Sequence, residues 1–166
     1  MSASADIKLF LDLQKVIDSD TIPAIKSIEH WVKTTLLIEN PDLAPDTEFE
    51  LTIRIVDKDE IQALNNTYRH KNKPTNVLSF PYEGFEFEVP EEVQLPLLGD
   101  LIICHDIVVA EAQQQAKTVI EHWAHMVVHG VLHLKGYDHL ESSDAEQMEA
   151  LEIKILQQLG FSNPYE

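Results

Sequence analysis

The chain has 166 residues, 44% hydrophobic and 25% charged, a balance that suits one globular domain with a substantial core. A formal charge of −17 argues against long-range attraction of polyanions, although screening over about 8 Å leaves the decision to the charges lining a cleft. The lone cysteine, Cys104, excludes an internal disulfide framework, and no apolar run approaches the roughly 18 residues of a membrane span. MSASADIK at the N-terminus has neither a basic nor an apolar leader region, so the expected location is cytoplasmic.

Residues 7–13 alternate Ile7, Leu9, Leu11 and Leu13 with Lys8, Phe10 and Asp12, predicting a strand with one strongly apolar face. Asp20 or Thr21 is placed to cap a helix with Pro23 in its first turn and Ile25, Ile28, Val32 and Leu36 on its apolar stripe. After the breaker NPDLAP, residues 49–56 predict a second strand with Phe49, Leu51, Ile53 and Ile55 inward. Asp57, assisted by Glu60, caps a helix whose buried face is Ile61, Leu64 and Tyr68. That helix runs into a basic turn holding Arg69, His70, Lys71 and Lys73. The turn reads equally as cations at a helix C-terminus or as a functional patch.

A short strand over 76–80 is stopped by Pro81, and the acidic stretch 82–96 reads as a connector, with a lid as the less favoured alternative. Leu97–Cys104 predicts an apolar strand inside the sheet, covered on both faces. Asp106 is placed to cap a helix with Ile107, Val108, Ala110 and Ala112, ending near Ala116. Thr118 with Glu121 opens the next helix, and Ser143 with Glu146 opens the last, whose Met148, Leu151, Ile155 and Leu156 face inward before Gly160. Interleaved strands and helices predict an α/β (α+β) layer: a sheet of about four strands with helices packed on it and a buried central helix.

That central helix carries the chemistry. His129 and His133 in HGVLHLKGYDH share one face at i, i+4, and Gly136 allows a turn that brings back His139. Three neutral nitrogens without a fourth side chain are the donor set of a catalytic zinc site. The spacing coincides with the metzincin pattern HExxHxxGxxH, except that Gly130 stands where those proteases carry their general base, which counts against peptide cleavage by that route. His125 lies one turn before His129, so spacing alone leaves a His125 and His129 pair open. The turn at Gly136 favours the later pair and leaves His125 and His122 as supporting or surface groups.

HWAHMVVHGVLHLKGYDH over 122–139, together with KPTNVLSFP over 73–81, resembles the YbeY endoribonucleases, the rRNA maturation factors; QMEALE and LGFSNPY extend the likeness to the C-terminal helix and beyond. The resemblance implies a metal-dependent, single-strand-specific ribonuclease. It would act on ribosomal RNA, notably the 3′ end of 16S rRNA, and in ribosome quality control, with the ribosome small subunit as partner. It implies one Zn2+ on His129, His133 and His139, with Arg69 serving activity. An ion held by three neutral imidazoles keeps its full charge, lowers the pKa of a bound water to about 7 and polarises a phosphoryl oxygen. Arg69 suits a phosphate by its bidentate fork, and Lys71 and Lys73 suit the flanking RNA backbone. His70, His125 and Asp138 are candidates for the base, Asp138 being better suited to orient a ligand imidazole. Two rival readings are a metallohydrolase of peptides or small amides and a non-enzymatic, zinc-containing ribosome-associated factor.

Overall fold

Alternating apolar residues build four strands that pair into one mixed sheet, and five helices cover it, in a computed structural model that describes residues 6–82, 97–137 and 142–165. The order along the chain is β1 (Lys8–Lys15), α1 (Ile25–Glu39), β2 (Glu48–Val56), α2 (Lys58–Arg69), β3 (Val77–Pro81), β4 (Leu97–Cys104), α3 (His105–Gln114), α4 (Val119–Leu134) and α5 (Ser142–Gln158). Across the sheet the order is β1-β2-β4-β3, with β1, β2 and β4 parallel and β3 antiparallel to β4. The α/β class and the buried central helix are as the sequence predicts. No helix among the described residues is long and apolar enough to cross a membrane.

β4 explains its own composition. Leu101 and Ile103 point into the larger core, with Leu51, Ile53 and Ile55 of β2 and the helices α1, α4 and α5. Ile102 and Cys104 point the other way, into a smaller cluster with Val56, Leu78 and Ile61 of α2. A strand buried on both faces needs a continuous apolar run, and each such side chain contributes about 1.5–3 kcal/mol. The Cys104 thiol is fully buried, and burial pushes its pKa up.

α4 lies across this core with eleven of its sixteen residues buried, which is why it is apolar nearly all round. The Thr118 hydroxyl caps it by accepting from Glu121 N at 3.1 Å. Trp123 on α4 donates its indole N–H to His105 Nδ1 at 2.9 Å, so the His105 Nε2 proton goes to Thr21 Oγ1 at 2.8 Å. Burial lowers the His105 pKa.

Several expected boundaries differ. α1 begins at Ile25 behind Ala24, with no side-chain cap: Thr21 is committed to His105 and Ser19, Pro23 precedes the helix, and Ile25 is exposed. On α2, Asp57 caps as expected, but Tyr68 is 61% exposed and Asn65 takes the buried position, donating to Lys73 O at 2.9 Å. Glu60 turns to Arg54 at 2.5 Å. α3 starts at His105 rather than behind Asp106 and ends at Gln114; Ala110 is exposed. α5 is already helical at Ser142, so Ser143 lies inside it. Such shifts of one or two residues are where cap and tertiary contacts compete. The connector or lid reading falls on residues 83–96, outside the described residues.

Gly99 fixes β3 against β4. The register of β2 on β4 slips between Glu50 and Leu51, so Leu98 is the extra residue of a bulge and Gly99 takes φ +134°. A Cβ there would stand 2.2 Å from Phe80 O and 2.9 Å from Pro81 Cα, backbone that cannot swing aside. Gly99→Ala is expected to lose about 3 kcal/mol or more, combining left-handed strain with overpacking, as measured by urea denaturation. An unchanged midpoint would contradict this packing.

Candidate metal centre and adjoining cleft

α4 presents His129 and His133 one turn apart, and their Nε2 atoms approach to 3.1 Å with the rings nearly perpendicular at 81°. Zinc–nitrogen arms of about 2.0–2.1 Å at tetrahedral angles would set two nitrogens ~3.3 Å apart, so this pair fits one ion with little movement. Gly136, at φ +100°, turns the chain after α4. Gly136 N donates to His133 O at 3.0 Å and Tyr137 N to Leu132 O at 3.0 Å. His139 and Asp138, both expected at the site, lie outside the described residues.

Behind His129 stands Glu152 of α5, fully buried. Its Oε2 accepts from His125 Nε2 at 2.6 Å and lies 3.3 Å from His129 Nδ1; its Oε1 accepts from the Tyr165 hydroxyl at 2.9 Å. Burial alone would push this carboxyl up, but hydrogen bonds from His125 and His129, with the charge of those rings, outweigh it and hold the pKa at about 2. Burial pushes the Tyr165 hydroxyl up, and the neighbouring Glu152 charge adds to this. An ionised carboxylate only accepts, so the His129 proton belongs on Nδ1 and the Nε2 lone pair faces His133. One donor atom from each of His125, His129 and Glu152 also falls within 4.8 Å of the others, which makes these three a candidate metal cluster among the described residues.

The histidines open on a cleft of about 1130 Å³ that is also lined by the basic turn and β3, with Arg69, Lys71, Lys73 and Ser79. Arg69 closes α2, before His70 in the left-handed cap at φ 60°. Its Nη2 donates to Ser79 O at 2.6 Å and its guanidinium lies 5.4 Å from the centre of the Phe80 ring, which fixes the side chain at the cleft wall. Asn76 sets the turn beneath it: Asn76 O accepts from Cys104 N at 2.9 Å, and its amide donates to Glu111 Oε1 at 3.1 Å. Glu111 in turn pairs with His122 Nε2 at 2.9 Å; burial lowers the His122 pKa and this carboxylate partly restores it. The expected residues Arg69, Lys71, Lys73, His129 and His133 are therefore brought to one cleft. His125 and His122 are buried behind it.

Sequence reading missed Glu152 and Tyr165. A signal was present: Glu152 sits four residues after Met148 and four before Leu156, a charge in the middle of an apolar stripe. Tyr165 had no such signal, because it follows Gly160 in a segment without periodicity.

The structure is similar to the solution structure of TM1509 from Thermotoga maritima, with a TM-score of 0.56 and 25% identity over 93% of this chain and 89% of that one. The family model described as endoribonuclease YbeY matches residues 14–160, a stretch that includes the basic turn, all of α4 and Glu152. The chain therefore belongs to the YbeY endoribonuclease family, metal-dependent enzymes of ribosomal RNA processing.

Proposed function

We propose that this protein is a cytoplasmic, zinc-dependent endoribonuclease that cuts single-stranded RNA, processes the 3′ end of 16S rRNA on the ribosome small subunit and acts in ribosome quality control. His129, His133 and His139 hold the ion. The observation that carries the reading is the convergence of two imidazole Nε2 atoms at 3.1 Å in the cleft that Arg69 also lines.

When bound, zinc supplies Lewis-acid activation of water and of a phosphoryl oxygen. The chain's residues do the rest. Arg69 spends one donor on Ser79 O, which leaves the rest of its fork for the phosphate oxygens, where charge builds up in the transition state. Lys71 and Lys73, on the same wall, hold flanking phosphates and supply local positive charge that the acidic remainder of the surface lacks. His70 is exposed beside them and remains a candidate base, whereas the His125 Nε2 is committed to Glu152. Gly130 in place of a protease's glutamate argues against peptide substrates.

The test pairs substrates with variants. Zinc-loaded protein should cut labelled single-stranded RNA and spare both duplex RNA and casein, and a chelator should stop it. Arg69→Ala should retain zinc and lose about 100-fold or more in cleavage rate, the range for removing one transition-state donor. Casein cleavage with intact RNA, or RNA cleavage indifferent to chelator, would overturn the proposal.

A further inference from the structure

We infer that Glu152 is a positioning residue: together with Tyr165 it holds His129 in the tautomer and orientation that offer Nε2 to the metal. This rests on the metal site proposed above.

A fully buried carboxylate in the middle of an apolar stripe is costly, and a leucine of similar volume would suit Met148, Ile155 and Leu156 better. What sets Glu152 apart is that three donors from two further elements meet it, His125 and His129 from α4 and Tyr165 from the C-terminal segment. In water, neutral imidazole distributes its proton over both nitrogens. A carboxylate 3.3 Å from Nδ1 selects the Nδ1–H form and directs the other lone pair outward, toward His133 and the cleft. His125 and Tyr165 keep the carboxylate from turning away, by occupying one oxygen each.

The same geometry argues against Glu152 as a ligand. Its Oε2 is 2.6 Å from His125 Nε2, a charge-assisted hydrogen bond and much shorter than the ~3.3 Å that two donor atoms on one tetrahedral zinc require. The three-residue cluster is thus a brace behind the ion.

Four proteins decide the matter: the full chain, Glu152→Gln, Tyr165→Phe and, as the ligand-loss control, His129→Ala. Zinc affinity, read by competition with a chromophoric chelator, should fall about 10–100-fold in Glu152→Gln and less in Tyr165→Phe, with one zinc per chain retained in both. Long-range proton–nitrogen correlation spectra of the metal-free chain, taken near pH ~8 where imidazoles are neutral, should show the His129 proton on Nδ1. In Glu152→Gln that preference should be lost, a change that a merely structural role would not produce. An unchanged tautomer in Glu152→Gln overturns the inference, as does zinc binding lost as completely as in His129→Ala, which would make Glu152 a ligand. If His129→Ala binds zinc like the parent chain, the metal-site reading fails, and the tautomer spectra still decide whether Glu152 sets the ring. Tyr165→Phe keeps the test available should Glu152→Gln not fold, since Tyr165 is 45% exposed. A Tyr165→Phe chain with parental zinc affinity and parental spectra would then overturn the inference.

Discussion

Replacing His133 with alanine is expected to remove zinc binding and RNA cleavage together while the chain stays folded. His133 lies on the last turn of α4 and is only partly buried, so the helix keeps its packing through Trp123, Val127, Val131 and Leu132. Losing a direct ligand should exceed the roughly 10–100-fold effect of losing a supporting group, so a drop of more than ~100-fold in affinity and rate is expected. His129→Ala should be equally inactive and also less stable. It leaves the buried Glu152 with one donor fewer, at about 1–3 kcal/mol. Chelator competition, a cleavage assay and a thermal melt on the two variants check all three statements. A His133→Ala chain that still binds zinc tightly would remove the residue from the site.

Gly130→Glu, the substitution that would complete the protease-like pattern HExxH, is expected to unfold the protein rather than convert it. Gly130 sits where α4 crosses β4, and a Cβ there would lie 2.8 Å from Leu101 Cδ2 and 3.1 Å from Leu101 Cδ1. Leu101 is itself fully buried and has little room to retreat. Overpacking costs about 1–3 kcal/mol, and an unpaired buried carboxylate adds about 3–5, against a typical total stability of about 5–15. Gly130→Ala separates the two effects. Its better helix propensity, worth about 1 kcal/mol, offsets part of the contact with Leu101, so a net loss of about 0–2 is expected by urea denaturation. A well-folded Gly130→Glu chain would show that α4 stands further from Leu101 than a 2.8 Å Cβ approach allows. The likeness to the protease spacing is therefore limited to the histidines, for a reason that lies in the sheet.

The parts legible in the sequence were those where local pattern and tertiary demand agree. β2 and β4 alternate or run apolar because their surroundings require it, and the helical caps at Asp57 and Thr118 were visible from side chains that accept from the residue three further on. The approach of His129 to His133 follows from helical pitch alone. Tyr68 was misplaced because its i+7 and i+4 spacing from Ile61 and Leu64 predicts a stripe, whereas in the last turn of α2 it stands 61% exposed, with the Phe80 ring edge-on at 5.4 Å. The start of α1 was misjudged because Thr21 had a partner 84 residues away, in His105. Glu152 was missed for a related reason: the carboxylate and its three partners come from segments that only the fold brings together.

The burial of Cys104 has a practical consequence. Its thiol is shut inside the central strand and its pKa is raised, so it is a poor target for alkylating reagents. A cysteine introduced on the exposed basic turn, as in Lys71→Cys, would be the single reactive thiol of the molecule. A fluorophore or photo-crosslinker could be attached there to map the path of RNA without first engineering away a native cysteine.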